Sequence, residues 1–297
     1  MNSNKQSRNL FTSLTVAISD TFLQMKAKPL IFFTVWVLLA LAPQLLLGFA
    51  FQQPITKMVE LSYQILDERL SDSDFRIAEQ NSRVILNGIR AMLVVLLTFA
   101  GLAVYIYSVL GDVISKFRKK LLPKIAQSLT EGLKRYVNLL KVILASAGRI
   151  LAGPVAIMIL GGVIGSLLKQ EAIIYALLVV SSILFLINLL RYGLAPFAHL
   201  ALGIVWRAAL VASRNYYLSH RLVVSALFGF VFLLPLLVFS LLTNALLNLG
   251  VLTGAVSIVL GILRSILRFC MAGVLINFGM NNFVHVQPVT VSELERR

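Results

Sequence analysis

Residues 30–51 read LIFFTVWVLLALAPQLLLGFAF, a run of 22 residues without one charged side chain. A helix of about 20 residues, rising about 1.5 Å per residue, is long enough to cross the hydrocarbon core of a bilayer. Five further runs of this kind follow, at 91–110, 150–168, 172–190, 222–242 and, less cleanly, 251–283. The sequence therefore predicts an all-α fold: a polytopic membrane helical bundle of about six transmembrane helices, with residues 1–297 forming a single membrane domain.

The composition and the placement of charge agree with a membrane protein. The chain is 59% hydrophobic and only 13% charged, whereas a soluble domain is about 25% charged. Of the 27 Lys and Arg residues, 19 lie in 1–28, 113–149, 191–221 and 284–297, and six lie in the alternating segments 51–90 and 169–171. The positive-inside rule then predicts a multi-pass protein of the bacterial inner membrane with both termini in the cytoplasm. We attribute the formal net charge of +15 to basic residues that contact anionic phospholipid headgroups, and not to binding of nucleic acid.

The start of the chain predicts an anchor and not a cleaved signal. In a signal peptide an apolar region of about 7–15 residues lies near the start, whereas here 28 polar or amphipathic residues precede the full-length run at 30–51. We expect this first run to remain as an uncleaved span.

An internal repeat organises the chain. Three times, an amphipathic stretch leads past basic residues into an apolar run that contains a proline: Pro43, Pro154 and Pro235. The repeat-like units are 10–112, 113–191 and 199–283, followed by a cytoplasmic tail, 284–297. We expect three transmembrane hairpins, each preceded by a basic amphipathic cytoplasmic helix lying at the headgroups; alternatively, these stretches are the cytoplasmic ends of long membrane helices.

The second amphipathic stretch is the most basic. Pro123 and Gly132 interrupt it, so we expect a broken helix. Its basic residues are candidates for contact with the membrane surface: Lys116, Arg118, Lys119, Lys120, Lys124, Lys134 and Arg135.

The segment 52–90 is the one sizeable extension predicted outside the membrane. An apolar stripe beside charged residues, and a turn at 71–74 with Ser71 or Ser73 as a helix cap, predict a helical hairpin on the outer face. It is either a docking surface for a membrane-protein partner or a solvated extension of two spans.

Arg264 and Arg268 are the most unusual residues of the last apolar run. They are one turn apart and point to one side of a helix, although a charge at membrane depth is costly. Three interpretations remain open. The helix is shifted so that both reach an interface; they pair with Asp112 or with backbone carbonyls; or they line a cavity for a phosphate or carboxylate. Arg264, Arg268 and Asp112 are thus candidate anion or lipid contacts.

The sequence predicts no enzyme, no cofactor and no metal site. Phosphate-binding glycine loops, nucleophile motifs and metal-ligand spacings are missing from the sequence, and a lone Cys270 excludes a disulfide framework. We rank a non-enzymatic auxiliary or scaffold membrane protein with anionic-lipid binding first. A transporter or lipid-handling protein with a cavity near Arg264 and Arg268 is the alternative.

One short segment resembles a known family. Residues 190–196, LRYGLAP, followed by 206–214, WRAALVASR, are similar to the glycerophosphoryl diester phosphodiesterase membrane-domain-like proteins and related bacterial integral membrane proteins of unknown function. The resemblance is best in the third unit; the rest of the chain resembles the family only in the arrangement of its predicted helices. Because this chain has no room for the soluble phosphodiesterase barrel, the resemblance implies a bacterial inner-membrane protein without carrying over any catalytic residue.

Overall fold

A computed structural model describes residues 3–67, 75–168, 171–248 and 254–283 of the chain, and all its regular elements there are helical. The predicted turn at 71–74 and the predicted tail 284–297 lie outside the described residues. The helices are α1 (Ser3–Ala27), α2 (Pro29–Trp36), α3 (Ala42–Asp67), α4 (Phe75–Arg118), α5 (Ile125–Leu168), α6 (Glu171–Tyr192), α7 (Ala195–Leu202), α8 (Trp206–Ser219), α9 (Arg221–Phe228), α10 (Leu234–Asn248) and α11 (Gly254–Asn282), with π-helical turns at Val37–Leu41 and Gly229–Leu233.

Among the described residues, six helical segments are long and apolar enough to cross a membrane, which agrees with the predicted number. They are Pro29–Leu47, Ser82–Arg118, Ile125–Gly165, Ala172–Leu202, Arg221–Leu246 and Ile258–Asn282. In the most apolar stretch of each, only 11% to 33% of the residues are buried within the chain. Most of the apolar surface of the spans therefore faces outward, as suits helices surrounded by lipid.

The chain forms two compact units, Leu30–Ile106 and Met1–Pro29 with Tyr107–Arg297. In the first unit, α3 and the first part of α4 pack together where Gly88 meets Met58. A Cβ on Gly88 would lie 2.4 Å from the Cβ of Met58, so only glycine permits this approach. These two helices run through the segment 52–90.

In the second unit, α5 and α6 pack along their lengths as a hairpin. Ser181 Oγ donates a hydrogen bond of 3.0 Å to the carbonyl of Pro154 inside α5. Farther along, a Cβ on Gly161 would lie 3.0 Å from Leu177. The predicted break near Pro123 is present, because α4 ends at Arg118 and α5 begins at Ile125. Gly132, by contrast, lies inside α5 and does not interrupt it.

Several helix boundaries are spaced by the same intervals as the prolines of the predicted repeat. α2 and α9 each have eight residues, are followed by a five-residue π-helical turn, and lead to a proline two residues later, Pro43 or Pro235. Every one of these features recurs after 192 residues. A widened turn accommodates proline, which lacks an N–H and crowds the preceding turn. Likewise, α8 begins 81 residues after α5, the interval that separates Pro154 from Pro235.

Burial follows the same repeat. Ala17, Ser128 and Ala209 occupy one repeat position and are buried in α1, α5 and α8. One turn later, a second repeat position holds Thr21, Gly132 and Ser213, again buried. Small side chains at i and i+4 give each helix a narrow face that another helix can approach closely.

In the second unit, each of these three faces contacts another helix, and we call the resulting circle of helices the ring. Thr21 Oγ1 of α1 accepts a 3.0 Å hydrogen bond from Asn277 of α11. The carbonyl of Gly132 in α5 accepts one of 2.8 Å from Ser108 of α4. Ser213 of α8 donates one of 2.7 Å to the carbonyl of Arg191 in α6. Thus α5 packs on α4, α8 packs on the end of α6, and α1 packs on α11.

We call this assembly the hub: α1, residues 107–118 of α4, residues 125–146 of α5, the end of α6, α7, α8 and residues 269–283 of α11. Its centre is filled by α7, where Phe197 meets Tyr107 edge to face at 5.6 Å and packs against Gly279. The largest fully buried side chains of the described chain lie largely here, among them Phe278, Phe283 and Leu194. The packed core of this unit is therefore concentrated at one end of its own spans and not along them.

Candidate functional site

Asp112 lies in the hub interface between α4 and α5. Its side chain is 3% exposed, with Lys116 Nζ 2.7 Å from Oδ2 and Arg135 Nη2 3.6 Å from Oδ1. Lys116 also lies 3.5 Å from the hydroxyl of Ser128. A buried carboxylate requires such partners to offset its desolvation. Asp112 is therefore engaged within the chain, and the structure does not bring it together with Arg264 or Arg268.

The interface between α1 and α11 has a neutral residue, Asn277, where the interface between α4 and α5 has Asp112. Asn277 is fully buried, donates to Thr21 Oγ1 and exchanges hydrogen bonds of 3.0 and 3.2 Å with the amide of Gln24. Near the end of the same interface, Asn281 donates to Asp20 at 3.2 Å, and Arg118 of α4 hydrogen-bonds Asn281 and lies 3.5 Å from Asp20. These contacts join the ends of α1, α4 and α11.

Aromatic side chains bind α8 to α11. The ring of Tyr216 stacks on His220 at 4.5 Å and lies 5.1 Å from Phe283 and 6.0 Å from Phe278. Burial among these rings raises the pKa of Tyr216 to about 12, because the phenolate would lose its hydration.

The predicted membrane-surface residues fall into two groups. Four have partners within the chain: Lys116, Arg118 and Arg135 as described, and Lys134 with Glu131 at 2.8 Å. The other three, Lys119, Lys120 and Lys124, are exposed in the connection from α4 to α5. The backbone of Lys120 is left-handed, with φ of 56°, which turns the chain between the two long helices.

Arg264 and Arg268 are both exposed on α11. Because α1 and α11 are antiparallel, Lys28 comes level with about residue 270 of α11. Arg268 therefore lies near the level of Lys28, the last charged residue before the first span. Arg264 lies one helical turn deeper into the span that α11 forms. The guanidinium carbon of Arg264 is 5.2 Å from the ring centre of Phe239 on α10, and neither arginine has an acidic partner among the described residues.

A groove at the edge of the hub brings together three arginines that the sequence reasoning did not select as site residues. It has a volume of about 390 Å³ and lies between α5, the end of α6 and the start of α8, lined by Arg149, Tyr192, Trp206, Arg207, Leu210, Val211 and Arg214. The guanidinium of Arg207 stacks over the ring of Trp206 at 5.1 Å. Leu210 is buried at its base, whereas the three arginines are exposed. The arrangement offers positive charge above an apolar and aromatic floor.

A signal for this groove was present in the sequence. Between Glu171 and Glu293 the chain has six arginines, no lysine and no acid. Of these six, the sequence reasoning singled out only Arg264 and Arg268 as candidate contacts. The other four entered the count that set the topology, and Arg191, Arg207 and Arg214 also stand in the two segments that resemble a family. Which of them share a surface depends on how α5, α6 and α8 meet, and residue spacing alone does not encode that.

The loop before α8 sets the position of the groove. Gly203 adopts a left-handed conformation, with φ of 66°, and ends α7. His199 Nδ1 lies 2.5 Å from the carbonyl of Ile204 and holds the loop against α7. The first turn of α8 has no side-chain cap, so its N–H groups are open to another acceptor.

Comparisons with protein-family models, with curated proteins and with solved structures found no match to this chain.

Proposed function

We propose that the protein is a non-enzymatic integral protein of the bacterial inner membrane. It acts as an auxiliary or scaffold protein, with the hub and both termini in the cytoplasm and with anionic phospholipids as ligands. The predominance of basic residues at the hub end of the spans supports this orientation. The resemblance of residues 190–196 and 206–214 to bacterial integral membrane proteins is in keeping with it.

The observation that carries the scaffold function is the separation of core and spans. The hub is a closed ring of three interfaces, whereas at most a third of the most apolar stretch of any span is buried. A well-packed hub together with apolar span surfaces that face outward suits a protein that presents its spans to lipid or to other membrane proteins. The helices α3 and α4 in segment 52–90 are the second surface proposed for a partner.

The alternative is a transporter or lipid-handling protein with a wet cavity at Arg264 and Arg268. The exposure of both arginines on a span, without an acidic partner among the described residues, favours this alternative, because an arginine at membrane depth requires water or an anion.

Thiol accessibility separates the two functions. Cys270 is the only cysteine, so Cys270→Ser gives a background for single-cysteine variants. A scaffold without a path for water leaves Gly261→Cys and Arg264→Cys unreactive toward a charged, membrane-impermeant thiol reagent, whereas the exposed control Lys119→Cys reacts. Rapid labelling at both 261 and 264 would instead establish a wet path and overturn the scaffold function.

A further inference from the structure

We propose that the groove lined by Arg149, Arg207 and Arg214 binds a phosphate group, presented by the headgroup of an anionic phospholipid. The choice of a lipid as the carrier rests on the proposed function in the membrane, whereas the phosphate chemistry rests on the groove itself. Grooves of a few hundred Å³ with an apolar floor and a few convergent polar groups are typical ligand sites.

The groove carries positive charge that no acid among the described residues compensates. None of the three arginines has an acidic partner in the part of the chain that the structure describes, and the sequence has no acid between Glu171 and Glu293. The acids in the hub are engaged elsewhere: Asp112 with Lys116 and Arg135, Asp20 with Arg118 and Asn281, and Glu131 with Lys134. Three guanidinium groups around one groove repel each other, and a bound anion removes that repulsion.

The chemistry of the lining matches phosphate. Guanidinium groups present planar forks of donors that bind phosphate oxygens in pairs, and they remain charged at all ordinary pH values. Trp206 holds one of these forks in place through its stacking on Arg207. The uncapped first turn of α8, at Trp206 and Arg207, adds N–H donors and the positive end of a helix dipole.

Among the three predicted repeats, only the third has arginines at the positions that α8 contributes to the groove. The positions of Trp206, Arg207 and Arg214 hold Leu14, Thr15 and Phe22 in the first repeat and Ile125, Ala126 and Leu133 in the second. Closing the ring therefore does not require basic residues at these positions. The groove is an addition to the third copy, as expected of a ligand site.

The position of the groove favours a lipid as the carrier. Arg149 directly precedes the uncharged run 150–168 of α5, and Tyr192 lies just beyond the run 172–190 of α6. Both mark the ends of their apolar runs, the level at which headgroup phosphates lie. Leu210 and Val211 supply apolar contacts for the glycerol region of a lipid.

Fluorescence of Trp206 tests the proposal directly. The chain has two tryptophans, so Trp36→Phe leaves Trp206 as the only reporter. The full chain in an uncharged detergent is titrated with dihexanoyl phosphatidylglycerol, and separately with inorganic phosphate. We expect a saturable response to the lipid and a much weaker affinity for inorganic phosphate.

Matched variants locate the binding. Arg149→Gln with Arg214→Gln should lower the lipid affinity about tenfold or more, since hydrogen bonds to charged groups are lost. Lys119→Gln with Lys120→Gln removes the same charge from an exposed loop and should change it less than twofold. Arg214→Lys, which keeps the charge but loses the fork, should give an intermediate loss. If the double groove variant does not fold, Arg149→Gln alone decides.

Two results would overturn the proposal: no saturable response to either probe, or equal losses from the groove and loop variants. Inorganic phosphate binding as tightly as the lipid would overturn the lipid assignment and leave free phosphate as the ligand. None of these results alters the thiol labelling at 261 and 264, so failure of the groove and failure of the scaffold function are distinguishable.

Discussion

Asp112 on α4 and Asn277 on α11 play the same part in two interfaces of the hub. Arg135 lies 3.6 Å from Asp112, and Gln24 exchanges hydrogen bonds with Asn277. Arg135 and Gln24 are repeat equivalents, 111 residues apart like Pro43 and Pro154. Equivalent positions thus carry an ion pair in the interface between α4 and α5 and a pair of neutral amides in the interface between α1 and α11.

The charged interface should tolerate neutralisation of both partners better than loss of one. Lys116→Gln leaves the buried Asp112 short of its nearest partner and should destabilise the protein by about 3 kcal/mol. Adding Asp112→Asn should restore at least half of that loss, because no charge then remains buried; Arg135, which loses its acid, has a side chain that is 44% exposed to water. Thermal unfolding of both variants in detergent, followed by circular dichroism, measures the difference. A double variant less stable than the single one would contradict this account.

The neutral interface depends on Asn277. Asn277→Ala removes its hydrogen bonds to the buried hydroxyl of Thr21 and to the half-buried amide of Gln24, at a cost of about 1–3 kcal/mol. Asn282 is the control, because its amide donates to the carbonyl of Phe278 in its own helix. Asn282→Ala should cost less than half as much in the same unfolding assay, and equal losses would argue against a special role for Asn277.

The ring also depends on glycine at Gly132. A Cβ there would lie 2.5 Å from Val109 Cγ2 and 3.2 Å from the backbone of Val109, so Gly132→Ala should destabilise the hub by about 1–3 kcal/mol through overpacking. Gly148, on the same helix, has open space around it. Gly148→Ala should instead stabilise the protein by about 0.5–1 kcal/mol through helix propensity. Melting temperatures that move in the same direction for both variants would contradict the packing.

Alkaline pH should weaken the hub through Tyr216. Its pKa rises from 10.0 in the unfolded chain to about 12 in the fold. The neutral phenol therefore favours the folded state fully below pH 10, and this contribution is lost as the pH rises from 10 to 12. Between these values, the melting temperature of the native protein should fall more steeply than that of Tyr216→Phe. Parallel curves would show that Tyr216 ionises as freely as an exposed tyrosine.

The arginine pair on α11 should retain anionic lipid. Arg264→Ala with Arg268→Ala should lower the amount of anionic phospholipid that co-purifies with the protein, because a guanidinium near the hydrocarbon requires a phosphate or water as partner. Lys119→Ala with Lys120→Ala, on the exposed connection, should lower it less. Lipid mass spectrometry of the purified variants gives the amounts, and equal losses would indicate a general surface effect.

The spans could be predicted from the sequence because they are local patterns. An uncharged run such as 150–168 identifies a membrane helix without knowledge of its neighbours. The ring could not be predicted, since its contacts join distant residues, as in Gln24 and Asn277, 253 positions apart. Gly132 shows a second reason. Glycine weakens an isolated helix, and the sequence therefore predicted an interruption, but in the hub its missing side chain lets α4 approach.

The packing of α1 on α11 also constrains how the chain is made. α1 leaves the ribosome about 250 residues before Asn277, the residue that its buried face requires. Until α11 is inserted, that face must be covered by the lipid surface, by a chaperone or by a temporary partner. Translation that stops before α11 would therefore leave an open ring with α1 unpaired, which makes this helix the natural place for quality control to recognise an incomplete chain.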